Sequence, residues 1–228
     1  MNKELLEYLL PIQKSQIAVV ANGEFPKNAA IVKYLHNSDK IIACDGAINN
    51  LIANNIIADY VIGDGDSSSL NQIGKFVKNP YIQILDQNNN DLSKAINFIQ
   101  KTFNTKRQVI IFAASGLRED HALANIALLM QYAQRFSRIY MLSDHGIFQV
   151  CREGTHNLSS IIGQQISFFS LEDAQNNYIS CQELKWPLVE LKLDYLNNGT
   201  LNQAKEKQLI IRCTRPTLIF RAFEIKPN

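Results

Sequence analysis

At 228 residues the chain is long enough to bury a substantial core, as one large domain or two small ones. Its 46% hydrophobic and 19% charged residues are those of an ordinary soluble globular protein, and no apolar run approaches the roughly 20 residues that span a bilayer. The 23 basic and 21 acidic residues leave a formal charge of +2, too balanced for nucleic-acid binding by bulk electrostatics.

The first stretch, MNKELLEYLLPIQK, carries Glu4 and Glu7 and has neither a long apolar core nor a small-residue cleavage site, so it does not read as a signal peptide. Short β-like runs follow at Ile17–Val20, Lys40–Cys44, Tyr60–Ile62, Tyr81–Leu85, Val109–Ala113 and Arg138–Leu142. Helical patterns lie between them at Lys27–His36, Ala47–Asn54, Asp91–Phe103 and Asp120–Phe136. In the helix from Asp91, Leu92, Ala95, Ile96, Ile99 and Phe103 recur on one face. In the next helix Leu123, Ile126, Ala127 and Met130 do the same. The alternation predicts a Rossmann-like α/β domain over residues 1–145, with a mainly parallel sheet flanked by helices.

After about Asp144 long helical periodicity stops. Runs at Gly146–Cys151, Gln165–Phe169, Tyr178–Cys181, Val189–Tyr195, Gln208–Cys213 and Thr217–Phe223 predict an all-β sandwich over residues 146–228, with the boundary near His145–Gly154. Cys44, Cys151, Cys181 and Cys213 are widely spaced with no CxxC, the pattern of reduced cytoplasmic thiols. Four dispersed histidines argue against a zinc site.

The chemistry concentrates at predicted strand ends. Val61-Ile62-Gly63-Asp64-Gly65-Asp66-Ser67 ends an apolar run in two carboxylates one residue apart, and Asp45, Asp86, Asp91 and Asp120 follow other strands. Open α/β sheets place ligands at this edge, and hard carboxylate oxygens suit Mg²⁺ carried on substrate phosphates. Taken singly, each has a bland reading: Asp64 and Asp66 as a polar turn, Asp45 as a helix cap, Asp91 with Lys94 as an ordinary helix pair. Their convergence on one edge favours a site. Gly116-Leu117-Arg118-Glu119-Asp120-His121 opens the last α/β helix, where Arg118 can grip a phosphate or simply be exposed beside a capped helix end. There is no GxxxxGK[ST], because Ser69 stands where Gly74-Lys75 would need a glycine, and no GxGxxG after the first strand. Trp186, the single tryptophan, is either core or a flat platform for a ligand.

In order along the chain, these motifs resemble those of the thiamin pyrophosphokinase family. The resemblance rests on Asp45-Gly46-Ala47, Gly63–Ser67, Asp86-Gln87 leading to Asp91 and Lys94, then Gly116, Arg118, Asp120 and His121, Leu184–Leu188 (LKWPL), and Gly199–Gln203. It runs from about Val19 to Phe220. The chain departs from the family's usual residues at Asn88, Asn90 and Leu201, where Asp, Thr and Ser are more usual.

The resemblance implies Mg²⁺-dependent transfer of the pyrophosphoryl group of ATP to the thiamin hydroxyl, releasing AMP, by a cytoplasmic homodimer with active sites between subunits. It implies that Asp64, Asp66 and Asp91 hold the metal, and that Lys94 acts with them in catalysis. Asp45, Ser67, Gly116, Arg118, Asp120 and His121 would serve ATP. Gln87, Trp186, Thr200 and Asn202 would serve thiamin, with Asp45 also a candidate to orient it. Two rival readings remain: a haloacid-dehalogenase-type magnesium phosphohydrolase, whose DxDx[ST] signature is met formally by Asp64–Ser68, and a thiamin or nucleotide sensor without turnover.

Overall fold

The computed structural model describes residues 1–65, 74–172 and 174–227. They form two compact units: Ile12–Ser143, and Met1–Pro11 together with Asp144–Asn228. Helix α1 (Lys3–Leu9) heads the chain and so clusters with the C-terminal unit.

The central unit runs β1 (Ile17–Val20), α2 (Ala29–His36), β2 (Lys40–Cys44), a 3₁₀ turn at Asp45–Ala47, α3 (Ile48–Ala53), β3 (Tyr60–Gly63), β4 (Ile82–Gln83), α4 (Asp91–Thr102), β5 (Gln108–Phe112), α5 (Glu119–Arg135) and β6 (Arg138–Ser143). Its strands lie in the order β6-β5-β1-β2-β3-β4, and every adjacent pair is parallel. Every residue of β1 and β5 is buried. This matches their unbroken apolar runs, because a parallel sheet covered by helices on both faces has no solvent side for polar alternation.

Helix α4 buries Leu92, Ala95, Ile96 and Ile99, the face its periodicity predicts. Helix α5 follows its predicted face only in part: Met130 is buried and Ile126 half-buried, but Leu123 and Ala127 are exposed, and Leu129, Tyr132 and Ala133 are buried instead. The α5 pattern carries apolar residues on more than one face, and Tyr132 decides between them by packing inward. Its hydroxyl meets the Ser93 hydroxyl of α4 at 2.8 Å. The predicted strand Tyr81–Leu85 contracts to two residues, since β4 is an edge strand pairing only through Ile62↔Ile82 and Gly63↔Gln83.

The other unit adds β7 (Gly146–Cys151), β8 (Gly154–Ser159), β9 (Gln164–Phe169), β10 (Tyr178–Cys181), β11 (Leu188–Lys192), β12 (Asn202–Gln203), β13 (Gln208–Cys213) and β14 (Thr217–Ile225). One antiparallel layer has the order β12-β9-β14-β7 and a second β11-β10-β13-β8. Ile166, Phe168 and Ile219 of the first share one apolar core with Ile179, Leu209 and Ile211 of the second, which makes this unit a β-sandwich. Arg221 of β14 is 2% exposed. It donates to the Ser159 carbonyl at 2.8 Å and to the Leu9 carbonyl at 3.1 Å, fastening the last turn of α1 to the sandwich. A cation there also suits the negative end of the helix.

All four cysteines are free and buried. Burial pushes the Cys151 and Cys181 thiols up to about 12, and raises those of Cys44 and Cys213 as well. A thiol that ionises more readily unfolded than folded withdraws stability as pH rises above the unfolded value near 9. Because the thiolate is the nucleophile, iodoacetamide at pH 8 is expected to leave all four thiols of the folded protein unmodified and to label all four in guanidinium. Mass spectrometry reads the difference.

Candidate active site

The central sheet changes its direction of winding between β1 and β5, the place where open α/β sheets accept ligands. A cleft of about 610 Å³ opens there at the carboxyl ends of the strands. The loop after β1 and the loop after β5 are stitched together beneath it. Gly23 N–H donates to the Ala113 carbonyl at 2.6 Å and Glu24 N–H to the Ser115 carbonyl at 2.8 Å. A Cβ on Gly23 would lie 2.5 Å from the Ala113 oxygen, so this close approach needs glycine. Asn125 of α5 donates to the Ala114 carbonyl at 2.9 Å and accepts from the Asn90 side chain at 3.1 Å. Asn90 in turn caps α4, accepting from Ser93 N–H at 2.9 Å. One amide therefore both caps α4 and links it to α5.

Lys94 sits at the centre of the charges lining the cleft. It is 4% exposed, with Nζ 2.9 Å from Asp91 Oδ1 and 3.5 Å from Asp64 Oδ2. Burial alone would lower its pKa, but the hydrogen bond and charge of Asp91, with those of Asp64, outweigh burial and hold it above the ordinary lysine value. Two carboxylates, one just after β3 and one at the first residue of α4, are thereby aimed at one point. Asp86 organises the intervening loop by accepting from Asn88 N–H at 2.8 Å and Asn89 Nδ2 at 2.6 Å, and those bonds lower its pKa.

Of the residues expected from sequence, Asp64, Gln87, Asp91, Lys94, Arg118 and His121 line the cleft. Asp66 and Ser67 lie outside the described residues. Asp45, Gly116 and Asp120 do not line it. Asp45 is buried at φ 29°, in the left-handed region, and accepts from the Tyr81 hydroxyl at 3.0 Å instead of capping α3. Gly116, at φ 92°, turns tightly against Glu24. Asp120 receives both Nε and an Nη of Arg118 at 3.1 and 2.6 Å, and that bond draws its carboxyl below the usual range. Asn22, Cys44, Ser115 and Asn125 also line the cleft. They are single polar or small residues without a motif, and only the three-dimensional fold reveals them. Among the described residues no three His, Cys, Asp or Glu side chains gather as a metal site.

Trp186, Thr200 and Asn202 belong to the β-sandwich unit. Trp186 is 57% exposed and is a surface platform, with Lys185 Nζ 5.4 Å from its ring centre. Asn202 is buried and holds the Trp186 backbone, donating to its carbonyl at 2.7 Å and accepting from its N–H at 3.3 Å. Thr200 donates to the Asn197 carbonyl at 2.9 Å. Leu201 is 66% exposed at φ 58°.

Residues 31–141 match the family model for the thiamin pyrophosphokinase catalytic domain, and residues 146–220 match that for the thiamin pyrophosphokinase substrate-binding domain. The chain belongs to the thiamin pyrophosphokinase family. It is accordingly a thiamine diphosphokinase, a transferase acting on ATP and thiamin in thiamine diphosphate synthesis. No curated protein matches it by sequence. The thiamin pyrophosphokinase fold is equally plain in solved structures. The chain is similar to thiamin pyrophosphokinase from Candida albicans at 15% identity and TM-score 0.81, over 98% of this chain and 92% of that one. It is similar to the Bacillus subtilis enzyme at 19% identity and TM-score 0.77, over 92% and 100%. For the yeast enzyme the figures are 14%, 0.75, 98% and 90%. Neither the phosphohydrolase nor the sensor reading finds support in these matches. No helix among the described residues is long and apolar enough to cross a membrane.

Proposed function

We propose that the cleft between β1 and β5 is where this family member binds ATP with Mg²⁺ and directs its β-phosphorus to the thiamin hydroxyl. The observation that carries this reading is the convergence of Asp64 and Asp91 on Lys94 at the cleft wall. The donors fit a magnesium ion: they are hard carboxylate oxygens, one just after β3 and one at the first residue of α4, already aimed at one cationic position. Asp64, Asp66 and Asp91 would hold it, and when bound it would neutralise charge on the triphosphate oxygens.

The remaining work falls to the chain's own side chains. Lys94, fixed by two carboxylates, presents a buried ammonium toward the triphosphate. Arg118 can exchange Asp120 for a phosphate oxygen, and α5 begins at Glu119, so its free N–H groups favour the same anion. His121 lines the same cleft, and Gly116, Ser67 and Asp45 would serve the nucleotide by their place in the motifs. The hydroxyl oxygen of thiamin forms a bond to the β-phosphorus as the bond from that phosphorus to the oxygen retained by AMP breaks, and the hydroxyl proton is released. Positioning and charge neutralisation account for such a loose transfer, and no general base is assigned.

Gln87 and Trp186, with Thr200 and Asn202, would take thiamin, whose positive thiazolium suits both an indole face and nearby carboxylates. In our reading the enzyme is a cytoplasmic homodimer, with Trp186 of one subunit packing thiamin bound against the other. Trp186→Ala is expected to raise the thiamin KM severalfold while moving the ATP KM by less than about twofold, as loss of a stacking platform requires. Steady-state kinetics in each substrate checks it, and a change confined to the ATP KM would misplace Trp186. The whole reading is tested by incubating the protein with ATP and Mg²⁺, with and without thiamin, and resolving the nucleotides. Thiamin-dependent AMP, formed one-for-one with thiamin diphosphate, is expected. ADP, or phosphate released without thiamin, would overturn it.

A further inference from the structure

The motif residues do not explain how Asp64 is aimed. It follows β3 at a glycine, where the backbone is freest, yet its carboxylate meets Lys94 across the cleft wall. The neighbouring edge strand β4 and the residues flanking it, Tyr81 and Ile84, supply three restraints on this one corner. Gln83 Nε2 donates to the Asp64 carbonyl at 2.8 Å. Ile84 N–H donates to the Gly63 carbonyl at 2.7 Å. Tyr81 donates its hydroxyl to Asp45 Oδ1 at 3.0 Å.

The packing leaves no slack between these groups. A Cβ on Gly63 would stand 2.5 Å from the Asp45 Cβ and 2.8 Å from the Tyr81 hydroxyl oxygen. Asp45, buried and in the left-handed region, has its carboxylate turned onto the tyrosine and not into the cleft. The ends of β2, β3 and β4 are thus locked to one another through side chains, although β4 contributes only two residues of ladder.

Resting on the metal-site reading above, we infer that Tyr81 and Gln83 are positioning residues, a clamp from β4 that fixes Asp64 for metal binding. Tyr81 acts through Asp45 and Gly63, whereas Gln83 acts on the Asp64 backbone directly. Neither lines the cleft.

The test uses Tyr81→Phe, which removes one oxygen, and Gln83→Ala, a change at an exposed side chain. Mn²⁺ binding is read by the loss of its free electron-paramagnetic-resonance signal on adding protein, beyond the loss in a protein-free control with the same α,β-methylene-ATP. Turnover is read as AMP formation. Each substitution is expected to weaken Mn²⁺ binding about tenfold and to lower kcat at fixed metal by a similar factor, the usual range for groups that orient a metal ligand. Excess Mn²⁺ should restore part of the rate, and the thiamin KM should stay within twofold. A general loss of packing would lower the melting temperature without this selective dependence on metal.

Mn²⁺ affinity within twofold of the parent in both variants would overturn the clamp, as would a rise in thiamin KM alone. If Tyr81→Phe does not fold, Gln83→Ala decides the matter by the same criterion. A parent protein that binds Mn²⁺ but makes no AMP would sink the pyrophosphoryl-transfer reading and leave the clamp to be judged by the binding data. A parent that binds no Mn²⁺ would remove the metal site and the clamp together.

Discussion

Asp64→Asn is expected to reduce AMP-forming turnover at least about a hundredfold with little change in stability. The substitution keeps the shape of the side chain and removes its charge. In the proposed site that charge has two uses, as a metal ligand and as one of the two carboxylates that balance the buried Lys94. Losing it takes one of the two carboxylates from the ammonium and would take one ligand from the metal. The side chain of Asp64 is 19% accessible, so the amide remains hydrated and the fold need not adjust. Asp66→Asn, at the other carboxylate of the motif, should show a loss of the same size. Turnover is followed by chromatography of AMP, and folding by circular dichroism. Near-normal turnover in both variants would remove these aspartates from the site.

Arg221→Met is expected to cost about 2–5 kcal/mol of stability, because it strands one buried and one half-buried carbonyl acceptor at about 1–3 kcal/mol each. Methionine fills much of the space with a flexible apolar chain, so the penalty isolates the lost hydrogen bonds from a cavity. The carbonyls of Ser159 and Leu9 are far apart in sequence and are brought together at this guanidinium. Urea unfolding of the parent and the variant measures the difference. A change under about 1 kcal/mol would mean that water takes over both acceptors and that Arg221 does not secure α1.

The sheet of the central unit was legible because β1, β2 and β5 are continuous apolar runs, which a covered parallel sheet demands. In the sandwich, β7, β10 and β13 begin and end where their patterns do. Strand β8 was not legible. Its sequence, GTHNLS, lies at a sheet edge where only one neighbour and part of one face constrain composition. Strand β12 consists of buried Asn202 and Gln203, which carry no apolar signal at all. Within the site, Asp64, Asp91 and Lys94 were readable because carboxylates after strands stand out against apolar surroundings. The Asn90–Asn125–Ala114 link and the bond from Tyr81 to Asp45 were not, since each joins residues 35 or 36 positions apart, or closes a backbone carbonyl, without a spacing rule. The outward turn of Leu123 shows the same limit: periodicity finds a stripe, but neighbours choose which stripe is covered.

Helix α1 and strand β14 lie far apart in sequence, and Arg221 joins them across 212 positions. During vectorial synthesis α1 therefore leaves the ribosome long before its anchor is made. The contiguous stretch Ile12–Ser143 can close as it emerges, but the sandwich waits for β14. A nascent or truncated chain therefore displays Leu6 and Leu9, buried in the finished molecule, as an uncovered apolar ridge. Such a ridge is open to aggregation until β14 arrives and Arg221 secures the helix.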